Sequence, residues 1–300
     1  MTDIQKPGLL RRLRLDISMV RYGCEHNHDF AREHYTFFSG MQNHLKKYTP
    51  KLEGHRVLDV GCGKSYWLTL LLHSVGVQVT GIDTEVTEPG FNPGKYLRIL
   101  LKNGLKRVAR TLVWDLFFAR SYYSELQKVA AFPLRFEGVD TRPMSVTELD
   151  FQAQTFDLVV SYEVFEHLPN IPAALSSLRR VMKPEGITYL CIHNFTSLSG
   201  GHHIAWKYPD SKPSTIVPPW DHLRQNRFPD IPSFINRLRE KDYRQEFEKQ
   251  FDILEWFTLY TEGEKLLTPE IRAELNDYSP DELIMKEFVV IARPKNLGLK

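Results

Sequence analysis

The stretch VLDVGCGKSYWLTLLL, Val57–Leu72, followed by QVTGID at Gln78–Asp83, constrains this 300-residue chain more than any other. A short apolar run (Arg56–Val60) enters a glycine turn, a helix is expected over Tyr66–Ser74, and a second strand, Gln78–Ile82, ends at Asp83. Strand, crossover and strand make the unit of a parallel sheet. The rhythm returns with Leu134–Phe136 and with FDLVVSYE at Phe156–Glu163. Asn170 then caps a helix that sets Ile171, Leu175, Leu178 and Met182 on one face. KPEG (Lys183–Gly186) reads as a tight turn before a strand at Ile187–Ile192. A helix at Ser233–Lys241 and two late strands, Phe251–Leu259 and Lys286–Ala292, complete the pattern. In such sheets a ligand lies beyond the carboxyl ends of the strands where strand order reverses. The loops at 60–66, 83–90, 161–168 and from 193 onward are therefore expected to converge.

Gly63-Lys64-Ser65 has the look of a phosphate loop. That loop needs a glycine five residues before Gly63, where this chain has Leu58, and Asp59 would oppose a triphosphate. A dinucleotide fingerprint could start at Gly61 and Gly63, but its third glycine is Tyr66. Ordinary turn chemistry also favours Gly and Asp at strand ends, though it does not explain several ordered segments at once.

Taken whole, VLDVGCG resembles the first motif of class I S-adenosylmethionine-dependent methyltransferases. The resemblance implies a Rossmann-like, seven-stranded, mostly parallel α/β sheet with an antiparallel edge strand, helices on both faces and a helical insert as a cap. It also implies that Asp59 anchors the amino end of S-adenosylmethionine, that Gly61, Cys62 and Gly63 form the loop against it, and that Asp83 holds the ribose hydroxyls. SVTELDFQAQTFDLVVS is similar to the family's adenine segment, which puts Ser145 and Val146 beside the adenine and Ser161 at the tip of the following strand. An acidic residue often stands where this chain has Ser145. VMKPEGITYLCI resembles the lead-in to the fifth strand.

YEVFEHLPN carries Glu163, Glu166 and His167 at i, i+3 and i+4, which one helical turn would place on one side. Two carboxylates and an imidazole suit a divalent cation. The E-x-x-E-H pattern is similar to that of ubiquinone-biosynthesis O-methyltransferases and small-RNA 3′-end 2′-O-methyltransferases, which implies Mg2+ or Mn2+ held by Glu163, Glu166, His167 and a downstream histidine. His222 in PPWDHLRQNRF is the best positional match, and His202 and His203 compete with it. The alternative is metal-free: Glu163, His167 or His222 as catalytic groups, or the same side chains simply ordering a helix start.

The acceptor is expected to be a small-molecule, lipid-linked or glycan hydroxyl. Two other readings stay open, a catalytically silent S-adenosylmethionine-binding scaffold and an NAD-dependent oxidoreductase. The expected organisation is an N-terminal helical extension over 1–50, with a helix at 28–48, and a methyltransferase domain over 51–300. That domain carries an insert at 86–133 and a long substrate-side loop at 194–232, where Trp206, Trp220 and Tyr208 could stack on an acceptor. The insert reads as helical from Tyr96 to Ala130 and holds Lys95, Arg98, Lys102, Lys106, Arg107, Arg110 and Arg120. Such a helix can rest on an anionic membrane surface, bind nucleic-acid phosphates, or pack with a solvated outer face, and the last is the default. A net charge of +2 gives no strong nucleic-acid signal. Three distant cysteines (Cys24, Cys62, Cys191) and the lack of a secretory pattern lead to the expectation of a cytoplasmic protein, with peripheral contact at the inner membrane face through 95–123 as the membrane variant.

Overall fold

The computed structural model describes residues 9–85, 88, 92–206, 209, 212–228 and 234–296, with side chains from residue 26 onward. Tyr208 and Ser233 lie outside the described residues. The chain divides into two compact units: residues 1–53, 63–77 and 85–141 form one, and residues 54–62, 78–84 and 142–300 the other.

The first unit is helical. It contains α1 (Leu9–Leu45), α2 (Trp67–Ser74), α3 (Pro93–Asn103), α4 (Leu105–Val113) and α5 (Ala119–Ala130), with a single π turn, Trp114–Phe118, between the last two. The helix expected at 28–48 is thus the end of a 37-residue helix. The continuous helix expected from Tyr96 is cut at Gly104 and at the π turn. Polar groups tie this unit together where apolar area is short. His34 stacks on Trp67 at 4.2 Å and its Nδ1 meets the Tyr122 hydroxyl at 2.5 Å, while the Asn27 amide donates to Phe118 O at 3.2 Å.

The second unit is built on the sheet, whose strands are β1 (Arg56–Val60), β2 (Gln78–Asp83), β3 (Asp140–Pro143), β4 (Phe156–Tyr162), β5 (Met182–His193), β6 (Phe251–Thr261) and β7 (Met285–Pro294). Their order is β3-β2-β1-β4-β5-β7-β6. β1 pairs in parallel with β2 and β4, and β4 with β5; β7 runs antiparallel to both β5 and β6. Central strands are largely apolar because both their faces are covered; in β1 Val57 to Val60 are all buried, with Asp59 the one charged residue among them. Strand order reverses between β1 and β4, as expected.

α6 (Ile171–Val181) and α7 (Glu240–Gln250) supply the helical side of the main core. Leu175 and Leu178 of α6 and Phe247 of α7 are fully buried with Leu58, Val159, Leu190 and Val290 of the sheet. α8 (Pro269–Glu274) and α9 (Pro280–Ile284) flank a smaller core.

Three expectations need correction. Leu134–Phe136 is not a strand; the strand is the polar edge segment Asp140–Pro143, which pattern reading misses because nothing apolar marks it. Residues 234–239 are irregular, with Arg237 at φ 60°, and helix begins only at Glu240. KPEG is a bulge inside β5: Phe156 pairs with Met182, but Leu158 already pairs with Ile187. The 194–232 segment also differs in kind from an open substrate loop. Leu198, Trp206, Val217 and Trp220 form the smaller core with Leu275 and Leu283, so both tryptophans pack inward and are not presented to an acceptor. No helix among the described residues is long and apolar enough to cross a membrane.

The α6 start illustrates how local chemistry fixes an element. Asn170 Oδ1 accepts from Ala173 N at 3.0 Å, with Pro172 in the first turn, where its missing N–H costs nothing. Asn170→Ala is expected to lower the unfolding free energy by about 1 kcal/mol, and Leu178→Ala by roughly 2–5 kcal/mol. Urea titration followed by circular dichroism would measure both, and equal losses would contradict this division between cap and core.

Candidate active site

The donor half of the site is built at the tips of β1 and β2. Asp59 is 2% exposed and lies in register with Gly81 on one side and Val160 on the other. The N–H groups of Gly61 and Cys62 both donate to Ile82 O, at 2.8 and 3.0 Å, so the loop after β1 is fastened to the residue before Asp83. Gly61 has φ 76°, and a Cβ there would lie 2.2 Å from Val164 Cγ2. No side chain fits this position, either sterically or by backbone conformation. The loop therefore rests directly on the turn that follows β4.

Cys62 reports the electrostatics. Burial first, then the negative charges of Asp59 and Asp83, push its thiol well above the usual range. Cys62 is thus a neutral packing group, not a nucleophile, and the two carboxylates make a common negative field. That field would repel a pyrophosphate and would favour a cationic ligand.

Met144 N donates to Asp83 O at 2.8 Å and ties the next segment to the same tip. Ser145 Oγ lies 2.8 Å from Thr147 Oγ1 and accepts from Thr147 N at 3.3 Å, a local turn, and Val146 is buried in the main core. Ser161 is buried and its hydroxyl donates to Val60 O at 3.0 Å, pinning β4 to β1 at the point of reversal. Gly63 belongs to the helical unit, where its carbonyl accepts from Tyr66 N at 3.2 Å. In that unit Lys64 Nζ stands 4.9 Å over the Trp114 ring, a cation–π contact.

The second half lies after β4. Glu163 has φ 52°, and the short 3-10 turn comprises Phe165–His167 only. Glu163, Glu166 and His167 therefore do not share a helical face. Glu163 points instead to His193 at the end of β5, with Oε1 3.3 Å from Nδ1. Burial favours its neutral form, but the hydrogen bond from His193 and the charge of Lys286 win and hold the carboxyl well below its ordinary range.

Glu166 is the opposite case. It is 1% exposed, and neither carboxylate oxygen has a hydrogen-bond partner. Burial, then the Glu163 charge, raise it well above the ordinary value. Ligand atoms of Glu166, His167 and His202 all lie within 4.8 Å of one another. His167 Nδ1 donates to Phe234 O at 2.7 Å, which leaves Nε2 with its lone pair. Burial and then neighbouring His193 lower His202 to about 3, so its imidazole is neutral at physiological pH.

His222 stands outside this group. Its Nε2–H donates to Phe195 O at 2.9 Å, and its ring leaves no room for a Cβ on Gly201, which would sit 2.7 Å from Cγ. Burial lowers it to about 4. Of the two competing histidines, His203 accepts from Ala205 N at 3.0 Å in a local turn, and His202 is the one that joins Glu166 and His167.

Several contributors carry no sequence signal. Antiparallel register sets Glu287 opposite His193, and Lys286 Nζ reaches Glu287 Oε1 at 2.8 Å. Ser199 Oγ contacts His193 Nε2 at 2.9 Å and donates to Glu262 Oε1 at 2.7 Å. Asn236 donates to Phe165 O and Leu168 O at 2.8 and 3.1 Å, and so holds the turn that carries Glu166 and His167.

A sequence profile described as a methyltransferase domain matches residues 25–251. The chain belongs to the methyltransferase domain family. Over 154 residues this methyltransferase is 24% identical to the ubiquinone biosynthesis O-methyltransferase of Haemophilus ducreyi, covering 51% of this chain and 52% of that protein. The protein of the same name in Xanthomonas oryzae pv. oryzae is 32% identical over 146 residues, 48% of this chain and 46% of its own length. The methyltransferase chain thus spans about half the length of the curated relatives it matches. Among solved structures, an S-adenosylmethionine dependent methyltransferase from Mesorhizobium loti aligns with 84% of this chain and 96% of its own, at 16% identity and a TM-score of 0.46.

Gly61→Ala is expected to weaken S-adenosylhomocysteine binding at least tenfold in isothermal titration, because the new methyl group displaces Val164 and strains the loop. Undiminished affinity would show that this loop does not border the ligand.

Proposed function

We propose that this methyltransferase moves the methyl group of S-adenosylmethionine to a hydroxyl oxygen of a small-molecule, lipid-linked or glycan acceptor, with a divalent cation held by Glu166, His167 and His202. The observation that carries this reading is the contact of Gly61 with Val164. It makes the loop between two carboxylate-bearing strand tips a direct neighbour of the turn that presents a buried, unpartnered carboxylate beside two imidazoles.

S-adenosylmethionine supplies a methyl group on a positively charged sulfur, which leaves as a neutral thioether. Asp59 would anchor the ligand's amino end and Asp83 its ribose hydroxyls. The O–C bond forms as the S–C bond breaks, in line, with the sulfur keeping the bonding pair and the acceptor's O–H proton passing to solvent, so the protein's task is mainly to hold two reactants at near contact. Positioning of that kind contributes up to roughly 7–11 kcal/mol in favourable systems.

One carboxylate and two imidazoles make a mixed oxygen and nitrogen donor set, which suits a borderline divalent cation such as Mn2+ better than the oxygen-preferring Mg2+. Glu166 would exchange an orphaned buried state for a charged partner. Bound there, the cation would supply Lewis acidity and lower the pKa of a hydroxyl at that position. His202 and His222 are too weakly basic to take a proton efficiently near neutral pH. A lowered imidazole is nevertheless suited to ligation, since a cation need not displace a proton from it. Glu163, kept ionised, orients His193 and sets the local charge. The ubiquinone O-methyltransferase names of the relatives support oxygen as the acceptor atom.

Two measurements test this. S-adenosylmethionine should bind saturably and raise the melting temperature, with Asp83→Ala losing roughly 100-fold in affinity, equivalent to about 2.7 kcal/mol. An unchanged melting temperature in excess ligand would refute the donor assignment. Independently, Mn2+ should bind with about one site by titration calorimetry, and Glu166→Gln or His202→Ala should abolish it while His222→Ala should not. Retention of Mn2+ by the Glu166 and His202 variants would remove the cation from this reading and leave methyl transfer standing.

A further inference from the structure

α3 and α4 of the helical unit are turned inside out. On α3 the buried positions are Lys95 and Ile99, whereas Leu97, Leu100 and Leu101 are exposed. At 100° per residue these three leucines centre on the face opposite the buried pair. On α4 the buried positions are Arg107 and Thr111, and Leu105 is 74% exposed. The π turn then exposes Leu116 and Phe117, the latter 66%. Each buried cation is answered internally: Lys95 Nζ lies 2.8 Å from Asp115 Oδ2, which also accepts from the Tyr96 hydroxyl at 2.7 Å, and Arg107 pairs with Glu85. The inward charges are therefore structural, and the outward leucines are not a packing error awaiting a neighbour in the same unit.

The exposed charges between residues 92 and 120 are Arg98, Lys102, Lys106, Arg110 and Arg120, all positive. The single acid of that segment, Asp115, is spent on Lys95. Arg98 is paired with Glu88; Lys102, Lys106, Arg110 and Arg120 are the other exposed charges interspersed with these outward apolar side chains, the composition of a surface that lies in the headgroup region of an anionic bilayer. There leucine and phenylalanine enter the acyl boundary and the long basic stems reach back to the lipid phosphates. A nucleic-acid groove would share the cations but gains little from aliphatic side chains, since base stacking needs aromatic or guanidinium planes.

We propose that α3, α4 and the π turn form a peripheral membrane-docking surface selective for anionic lipid. The test is flotation of the full chain with vesicles of phosphatidylglycerol and phosphatidylcholine, compared with phosphatidylcholine alone. Partitioning onto the anionic vesicles is expected to be at least tenfold stronger and to weaken with added salt. The double variant Leu101→Asp/Leu105→Asp should lose at least tenfold in partitioning, with unchanged thermal melting and unchanged S-adenosylhomocysteine binding. Lys102→Glu/Lys106→Glu should erase the preference for anionic lipid. Failure to float, or flotation that ignores the leucine substitutions, would overturn the proposal. So would a dimer in sedimentation equilibrium that the leucine substitutions dissociate, or RNA binding without vesicle binding.

Discussion

The interaction on which the rest of this structure turns is one that is not made internally. Glu166 carries a carboxyl into the interior, where neither oxygen has a partner in full hydrogen-bond geometry and only the nearby backbone amides of Glu166 and His193, with the His167 ring 4.0 Å away, offset the cost of its charge. A buried ionised carboxylate without a partner costs several kcal/mol, so the group must either take up a proton or meet a cation. Glu163 shows that the chain could have answered the charge itself. Three residues away, a carboxylate is held ionised by His193, with Lys286 close by. The two acids are thus shifted in opposite directions in one neighbourhood: His193 and Lys286 lower Glu163, while burial and then the Glu163 charge raise Glu166.

How much of this was legible depended on whether the signal was local. β1, β2, β4 and the strand part of β5 were readable because a strand covered on both faces must be largely apolar. The α6 start was readable because Asn170 and Pro172 act within one turn. Asp59 and Gly61 stood out because they flank one short turn, and Asp83 because it ends the next strand. β3 was not readable, being a polar edge. The role of the downstream histidine was not readable either. His202 and His222 have similar surroundings in sequence, and only the compact turn around Gly200 and Gly201 decides that the first joins Glu166 while the second is committed to Phe195 O. Lys286 and Glu287 were beyond reach, because antiparallel register across about a hundred residues puts them beside His193. The tryptophans of the 194–232 segment misled for a further reason. Aromatic residues in a Pro- and Gly-rich stretch can serve an acceptor or a core, and a second small core with Leu275 and Leu283 claims them.

That second core has a consequence for the site. His202 adopts φ 53° in a stretch that would otherwise be free to reorganise. Backbone strain of this kind persists only where the surroundings determine it. Here Leu198 and Trp206, on either side of His202 in sequence, are buried, and Ser199 is held by Glu262 through both its N–H and its hydroxyl. Among the described residues of that segment, His202 is therefore held between buried and hydrogen-bonded neighbours, although little of the backbone there is regular secondary structure. Asn236 does the same for the other side by satisfying the carbonyls of Phe165 and Leu168, which the short 3-10 turn leaves open. Irregular backbone holds the ligand groups, and both pieces are anchored by polar contacts to residues remote in sequence.

The same contrast explains why the apolar surface of α3 and α4 is unlike that of Trp206 or Trp220. In the 194–232 segment apolar groups found one another and left solvent. In the helical unit Lys95, Tyr96, Asp115 and Arg107 occupy the inward positions, in a network whose geometry specifies which helix face is which. An all-leucine inner face would bury as much and would tolerate rotation of the helix about its axis. A buried lysine with a single acid to meet does not. The network that looks costly as packing therefore sets which face of α3 turns inward, and with it the outward placement of Leu97, Leu100 and Leu101.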